Sequence, residues 1–297
     1  MKIYGLGFAL VNSSPACVQK GAEPKHNDQE VEDSKKNQKD SSKRDLPSET
    51  EDLVSLFNGT KIFVSKEKNT AGKYELRAMV DTVELKGTSD KNNGSGTLEG
   101  EKSDKSKAKL TISEDLNTIT VETHDSSNTK VARKVFFKTG SLTEETEETY
   151  QTGKLSTKKI TRTNGTTLEY SDMTNDENAT KAVETLKNGI MLEGNLVGGK
   201  TSVEIKEGTV TLKKEIEKAG TVKLFLDDTS SGSTKKTAVW SDTSNTLTIS
   251  ANSKKTTQLV FTKENTITVQ KYDSAGTNLE GKAVEIQTLD ELKNALK

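Results

Sequence analysis

Hydrophobic and polar residues alternate with a period of two over most of the chain beyond Leu53. The alternation recurs in short segments at residues 62–64, 76–80, 110–112, 119–121, 203–205, 210–212, 222–226, 247–249 and 267–269. Successive side chains of a strand point to opposite faces, so this pattern is typical of strands with one buried face. Pairs such as Asn58-Gly59 and Asn164-Gly165 lie between the segments and supply the positive φ angles of tight hairpins. The chain is therefore predicted to be mainly β, an antiparallel β-meander with neighbouring strands paired.

The segment at 114–170 departs from this pattern. Strands predicted at 130–138 and 158–163 carry Lys, Glu and Thr on both faces and few large apolar side chains. Cross-strand charge and threonine pairs, each contributing about 0.2–1 kcal/mol, would stabilise such a sheet in place of a core. We predict a single-layer central sheet over 114–170, which joins an N-terminal β-sheet region (53–113) to a C-terminal β domain (171–297).

Two short segments have the spacing of helices. The first contains the apolar residues Ala179, Ala182, Val183 and Leu186. In the second, Thr288 and Glu291 have the spacing of a capping box, in which two side chains satisfy free backbone N–H groups at a helix start. We expect this second segment to form a short C-terminal α-helix that packs its leucines on the C-terminal sheet.

The N-terminus has the features of a lipoprotein signal. Residues 1–16 contain an apolar run too short to span a bilayer, and they end on a small residue just before Cys17. Ser14 stands where such signals usually carry Leu. Cys17 is the one cysteine of the chain, so it has no disulfide partner, and we predict that it is the lipid-attachment site. The alternative is a cytoplasmic protein with a free thiol near its end.

The rest of the N-terminal segment is polar. Residues 17–52 comprise the lipid-attachment cysteine and a stretch rich in Lys, Glu, Asp and Ser without apolar periodicity, which predicts a disordered tether. The three prolines are Pro15, Pro24 and Pro47, and their absence from the remaining sequence favours an uninterrupted run of strands.

The overall charge excludes one class of partner. Hydrophobic residues and charged residues each make up 30% of the chain, and 44 Lys and Arg nearly balance 45 Asp and Glu. Such a composition is typical of a folded protein with a large solvated surface. Because there is no basic excess to neutralise phosphates, nucleic acid is not expected among the partners.

Several motifs resemble sites but have simpler interpretations. Residues 194–201 fit the P-loop pattern, yet the alternating strand at 202–205 follows where a helix is needed, so we predict a hairpin turn. The acidic run of Glu144, Glu145, Glu147 and Glu148 is interpreted as a solvated strand or turn rather than a cation site.

The remaining candidate residues do not form a recognisable catalytic or metal site. His26 and His124 lack the spacing of metal ligands, and no serine lies in a nucleophile elbow. Trp240 is expected in the core of the C-terminal sheet, with a ligand-pocket role as the alternative. No catalytic residue, metal or cofactor is predicted, although an acid–base pair among the many carboxylates stays open.

Five stretches of sequence carry a family resemblance. They are FVSKEKN at 63–69, ELKGTSDKNNGSGTLEG at 84–100, KEGTVTL at 206–212, LVFTKENTITV at 259–269 and LKNALK at 292–297. Through them the chain resembles the outer surface lipoprotein A/B family of Borrelia spirochaetes over residues 53–297. The resemblance implies an elongated antiparallel β protein, with a single-layer central sheet between two globular ends and a short C-terminal α-helix. It also implies that Cys17 is tri-acylated, with a diacylglyceryl group and palmitate, and holds the body on the outside of the outer membrane.

These features lead to a ranked set of functions. We expect a non-enzymatic surface lipoprotein and major surface antigen that adheres to vector or host surface proteins through the C-terminal domain, 171–297. The expected partners are the membrane through its lipid, host or vector surface proteins, and antibodies. The alternative is a structural or protective coat that shields other surface components. An enzyme on the C-terminal domain is the third and weakest hypothesis.

Overall fold

The computed structural model describes residues 46–262 and 264–297 as two antiparallel sheets and one α-helix. The first sheet has 16 strands, each paired with the next along the chain. They are β1 Glu51–Ser55, β2 Lys61–Lys68, β3 Tyr74–Val80, β4 Val83–Ser89, β5 Gly96–Glu101, β6 Lys107–Ile112, β7 Thr118–His124, β8 Lys130–Thr139, β9 Leu142–Gln151, β10 Lys154–Arg162, β11 Thr167–Asn175, β12 Asn178–Thr185, β13 Met191–Val197, β14 Lys200–Glu207, β15 Val210–Ile216 and β16 Val222–Asp228.

The second sheet has five strands, also paired in chain order. They are β17 Lys236–Ser241, β18 Thr246–Ala251, β19 Lys254–Phe261, β20 Ile267–Tyr272 and β21 Leu279–Glu285, and helix α1 Leu289–Leu296 follows them. The prediction of a mainly β, antiparallel meander with a short C-terminal helix is confirmed.

The long sheet has two faces, which two rows of directly opposed residues define. One row is Val121, Lys134, Glu147, Lys159 and Glu169, and we call its side the Val121 face. The other row is Glu122, Arg133, Glu148, Lys158 and Tyr170, on the Glu122 face. Opposed residues of paired strands share a face, so each row runs across the sheet on one side.

The hydrophobic core changes side along this sheet. The first cluster of buried residues runs from Leu56 to Ile119. Its β7 member Ile119 and the half-buried Val121, which packs against it, lie on the Val121 face. The second cluster runs from Leu168 to Leu296 and includes Tyr170 on the Glu122 face. Strands β1–β7 are therefore covered on one side and β11–β16 on the other.

Between the two clusters, charge pairs replace a core. The side chains of β8, β9 and β10 are half-buried or exposed, except for Glu148 and Leu155. Glu148 Oε2 accepts from Arg133 Nη1 at 3.2 Å and from the Tyr150 hydroxyl at 2.8 Å. On the Val121 face, Lys134 Nζ lies 2.5 Å from Glu145. Both faces of the central strands thus carry the paired charges that a single-layer sheet requires.

The prediction of a helix around Ala179 is wrong, because this segment is strand β12. The register between β12 and β13 shifts between Ala179 and Ala182, which leaves the two intervening residues exposed. A β-bulge of this kind adds one residue to a strand, so buried positions three apart imitate helical spacing. Beyond the bulge the alternation resumes, and Glu184 takes the next buried position.

The C-terminal helix begins as the sequence predicts. The Thr288 side chain accepts from the Glu291 backbone N–H, and the Glu291 carboxylate accepts in return from the Thr288 N–H. Leu292 and Leu296 are buried in the second cluster. The Lys236 ammonium donates to the carbonyl oxygen of Leu296, which ties the end of the helix to β17.

The five-stranded sheet has one apolar face and one polar face with an uncharged patch. Its inner residues Leu247, Leu259 and Ile267 are buried in the second cluster. The residues that alternate with them on β17–β20 form what we call the neutral face: Val239, Ser241, Thr248, Gln258, Val260, Thr268 and Gln270. All seven are exposed or half-buried and none is charged, and two charged residues flank them on the same side of the sheet: Lys255, opposite Ser250 on β18, and Glu285, opposite Thr268 on β20.

Candidate functional site

The predicted lipid site lies outside the described residues. Cys17, the signal at 1–16 and the tether up to residue 45 are not described by the structure. Lipid attachment at Cys17 therefore stays a prediction. The division at 53–113, 114–170 and 171–297 also stays a prediction. In residues 46–262 and 264–297, no helix has the length and apolarity to cross a membrane.

The segment with the P-loop pattern is a hairpin, as predicted. Strands β13 and β14 are joined by Gly198 and Gly199, both with positive φ. A phosphate-binding loop needs the N–H groups at the start of a helix, and here a strand follows instead.

The other candidate residues have structural surroundings. The acidic run lies on β9, where Glu144 faces Arg162 and Glu148 faces Arg133. Within the described part of the chain, no group of three His, Cys, Asp or Glu side chains is placed to hold a metal ion. Trp240 packs against the second cluster but is only half-buried, since it lies on strand β17 at the edge of its sheet, and its indole N–H donates to Asp242.

A buried ion pair is the most unusual polar feature of the C-terminal region. Glu184 on β12 and Lys214 on β15 are 1% and 2% exposed, and Lys214 Nζ lies 2.5 Å from Glu184 Oε1. Lys214 also donates to Asn265 Oδ1 at 3.0 Å, and its ammonium lies 4.0 Å from the centre of the Phe261 ring. Burial lowers the pKa of Lys214, and the neighbouring carboxylate of Glu184 opposes that shift.

The pair borders a cavity of about 360 Å³. Glu184 and Lys214 reach it from the Glu122 face of the long sheet, and Phe261 and Asn265 reach it from the end of β19 and the turn after it. Arg162, the last residue of β10, adds a second cation to the wall. Polar groups buried beside a cavity are the usual means of orienting a small ligand.

This site was not predicted from the sequence, although the sequence carries a signal for it. Lys214 alternates along strand β15 with the same period as the apolar residues Val210, Leu212 and Ile216. The pattern therefore places this lysine on the buried side of the strand. It lies opposite Val203 on β14 and Leu224 on β16, both buried. The bulge in β12 interrupts the alternation of buried and exposed residues, so the sequence pattern did not place the partner Glu184 on the buried side. Asn265 is remote in sequence, so only the packing of the two sheets brings it close.

The fold and these sites define an antiparallel β-meander with paired surface charge, and known proteins identify its family. The sequence signature of the Borrelia lipoprotein family matches residues 33–297. The chain is 65% identical over 296 residues to outer surface protein B of Borreliella burgdorferi strain B31, covering 98% of this chain and 99% of the relative. It is 62% identical over 301 residues to another outer surface protein B of Borreliella burgdorferi, with 100% of both chains covered. The chain belongs to the Borrelia lipoprotein family.

Membership has direct consequences for location and class. The resemblance drawn from the five sequence stretches is confirmed, and the chain is a lipoprotein of the outer membrane surface. The names of the family and of both relatives are those of surface proteins rather than of enzymes.

Proposed function

We propose that this lipoprotein is an exposed antigen that adheres to surface proteins of the vector or host and catalyses no reaction. An acylated Cys17 would hold it to the membrane, and the neutral face would make the contact. The neutral face is the observation that carries the proposal. The cores of protein–protein interfaces are depleted of charged residues, because desolvating a charge without a partner costs free energy.

The neutral face contrasts with the rest of the surface. On the central strands, charges at the surface are held in pairs such as Lys134 with Glu147 and Lys159 with Glu169. A partner that covers such strands must desolvate both members of each pair. A partner that covers Ser241, Thr248 and Thr268 meets hydroxyl groups, which bond to a protein surface at lower desolvation cost.

A charge on the neutral face is expected to weaken adhesion. The change Thr248→Lys should weaken binding of beads coated with the chain to vector-gut or host-cell surfaces by about tenfold or more, because an unpaired ammonium would be buried at the contact. Retention of the beads under flow measures the effect. The control is Thr111→Lys, which adds the same charge to strand β6 on the side that faces away from the first cluster. Unchanged retention of the Thr248→Lys beads, or equal loss in the control, would remove the neutral face from the proposal.

The anchor is tested separately. Replacing Cys17 with Ala is expected to release the chain from the membrane fraction, because two or more acyl chains are needed for stable anchoring and each buried methylene contributes about 0.8 kcal/mol. Fractionation of cells followed by detection of the chain measures this. If the Cys17→Ala chain stays in the membrane fraction, another feature anchors it.

The coat hypothesis predicts a different phenotype. The dense charge pairs of β8–β10 support it, since mutually neutralised charges attract few partners. A strain without the chain that adheres normally but becomes more sensitive to surface attack would favour the coat over adhesion.

A further inference from the structure

Four asparagines in the described part of the chain stand directly before a glycine. A glycine has no Cβ, so no side chain hinders the approach of its backbone nitrogen to a neighbouring group. That nitrogen can attack the side-chain carbonyl carbon of the asparagine before it, which is the first step of deamidation. The reaction needs water but no enzyme or cofactor, so each such pair is a candidate modification site. The four pairs are Asn58-Gly59, Asn93-Gly94, Asn164-Gly165 and Asn188-Gly189.

Two of the pairs share both their local sequence and their backbone conformation. The tripeptide Asn-Gly-Thr occurs at 58–60, between β1 and β2, and at 164–166, between β10 and β11. The φ angles of Gly59 and Gly165 are 86° and 83°. Each of these glycines donates its N–H, at 2.9 Å, to the carbonyl oxygen of the residue three positions before it. Local sequence and backbone therefore give the two asparagines the same intrinsic reactivity.

The side-chain amides of these two asparagines are held differently. Asn164 Nδ2 donates to the carbonyl oxygen of Glu264 at 3.2 Å. Its Oδ1 accepts from the Thr166 backbone N–H at 3.1 Å and from the Thr166 hydroxyl at 2.8 Å. Within the described residues, Asn58 has one such bond, from the Thr60 N–H to Oδ1 at 3.1 Å. The amide must turn toward the glycine nitrogen before attack, so each hydrogen bond that holds it slows the reaction.

The two remaining asparagines are also held by their amide nitrogens. Asn93 Nδ2 donates to the carbonyl oxygen of Glu114 at 3.2 Å, and Asn188 Nδ2 donates to that of Ile286. In three of these four turns, the amide nitrogen thus bonds to a backbone carbonyl elsewhere in the chain. Asn58 Nδ2 donates to no described residue. The folded chain therefore protects three of its Asn-Gly pairs better than the fourth.

We propose that Asn58 is a site of spontaneous deamidation in the folded protein. The Gly59 nitrogen forms a bond to Asn58 Cγ, and the bond from Cγ to the side-chain nitrogen breaks. The proton of the Gly59 N–H leaves with that nitrogen as ammonia, and a succinimide ring remains. Water opens the ring at either carbonyl and gives aspartate or isoaspartate. The site lies in the β1–β2 turn, apart from the neutral face, so either proposal can fail without the other.

The modification would alter the edge of the long sheet. The isoaspartate product carries the main chain through the side-chain carbon, which adds one carbon atom to the turn. This turn is closed by the Leu56 N–H, which donates to the carbonyl oxygen of Thr60 at 2.8 Å. Strand β1 lies at the end of the strand order, paired with β2. Conversion at Asn58 is therefore expected to loosen β1 from the sheet.

The experiment incubates the full chain at neutral pH and follows the four sites by peptide mapping and mass spectrometry. Asn58 is expected to convert about tenfold faster than Asn164 or more, because two additional hydrogen bonds hold the amide of Asn164. The same chain denatured in urea is the control, and there the two asparagines should convert at similar rates. Equal rates in the folded chain would overturn the proposal. So would a difference that persists in urea, since the flanking sequence would then be its cause.

A pair of matched variants tests the protecting hydrogen bonds. Thr166→Val removes the hydroxyl that donates to Asn164 Oδ1 and keeps the shape of the side chain, so the conversion of Asn164 should become about threefold faster or more. Thr60→Val makes the same change beside Asn58, where the bond comes from the backbone, and should leave the rate at Asn58 unchanged. Circular dichroism checks that both variants fold. An unchanged rate at Asn164 in Thr166→Val would show that these bonds do not control the reaction.

Discussion

Replacing Lys214 with Met is expected to lower the free energy of unfolding by about 3–5 kcal/mol, a large fraction of the roughly 5–15 kcal/mol that stabilises a native protein. Methionine has a similar volume, so the loss comes from electrostatics rather than from a void. Without the ammonium, the carboxylate of Glu184 stays buried with no opposite charge. Asn265 Oδ1 also loses its donor, and the Phe261 ring loses its cation. Urea denaturation followed by the fluorescence of Trp240 measures the change.

Two further variants separate the buried charge from other causes. Lys200→Met removes a lysine that pairs with Glu215 at 3.0 Å but is 42% exposed, and we expect it to cost less than about 1 kcal/mol. Lys214→Met combined with Glu184→Leu removes both charges and is expected to recover most of the stability, because no unpaired charge remains. A loss below about 1 kcal/mol for Lys214→Met alone would show that the pair contributes little to the fold.

Gly194→Ala is the second change with a large expected effect. An alanine Cβ at this position would lie 1.8 Å from the carbonyl oxygen of Ser202 and 2.8 Å from the Cα of Val203. Both are backbone atoms of the neighbouring strand β14, so no side-chain rotation relieves the overlap. The two strands would have to separate, at a cost of about 3 kcal/mol or more. Thermal unfolding followed by circular dichroism measures it.

The same hairpin supplies the control. Gly198 has a φ of 58°, and no atom lies within 4 Å of the place that an alanine Cβ would occupy, so Gly198→Ala adds backbone strain without overlap. We expect that change to cost about 1–2 kcal/mol. Equal destabilisation by Gly194→Ala and Gly198→Ala would mean that the close approach of β14 is not the cause.

Much of the fold could be predicted from local sequence. The period-two alternation fixes which side of each strand is buried, and the Asn-Gly turns join neighbours, so a meander needs no long-range information. The error at β12 arose because a bulge shifts the alternation of buried and exposed positions by one residue. Whether a bulge forms depends on the neighbouring strand, which the local sequence does not show. Near Ala179 the local pattern was thus compatible with both a helix and a bulged strand, and pairing with β13 determines that a strand forms.

The charged cavity could not be predicted in the same way. The chain is rich in lysine, so Lys214 does not stand out by residue type. Only its position two residues after Leu212 on the same strand indicates that it is buried. The partner Glu184 lies on strand β12, and Asn265 lies in the turn between β19 and β20. Their approach depends on how the second sheet packs on the Glu122 face, which no local pattern encodes.

The change of side of the hydrophobic core affects how unfolding is observed. The two clusters share no residue, and the strands between them contribute few buried contacts, so each cluster has the character of a separate cooperative unit. Trp240, the sole tryptophan, packs against the second cluster. Its fluorescence therefore follows the half that contains Lys214 and Gly194, while melting of the half around Leu98 and Leu110 leaves this signal unchanged. A denaturation curve that looks two-state by fluorescence describes one half of the molecule.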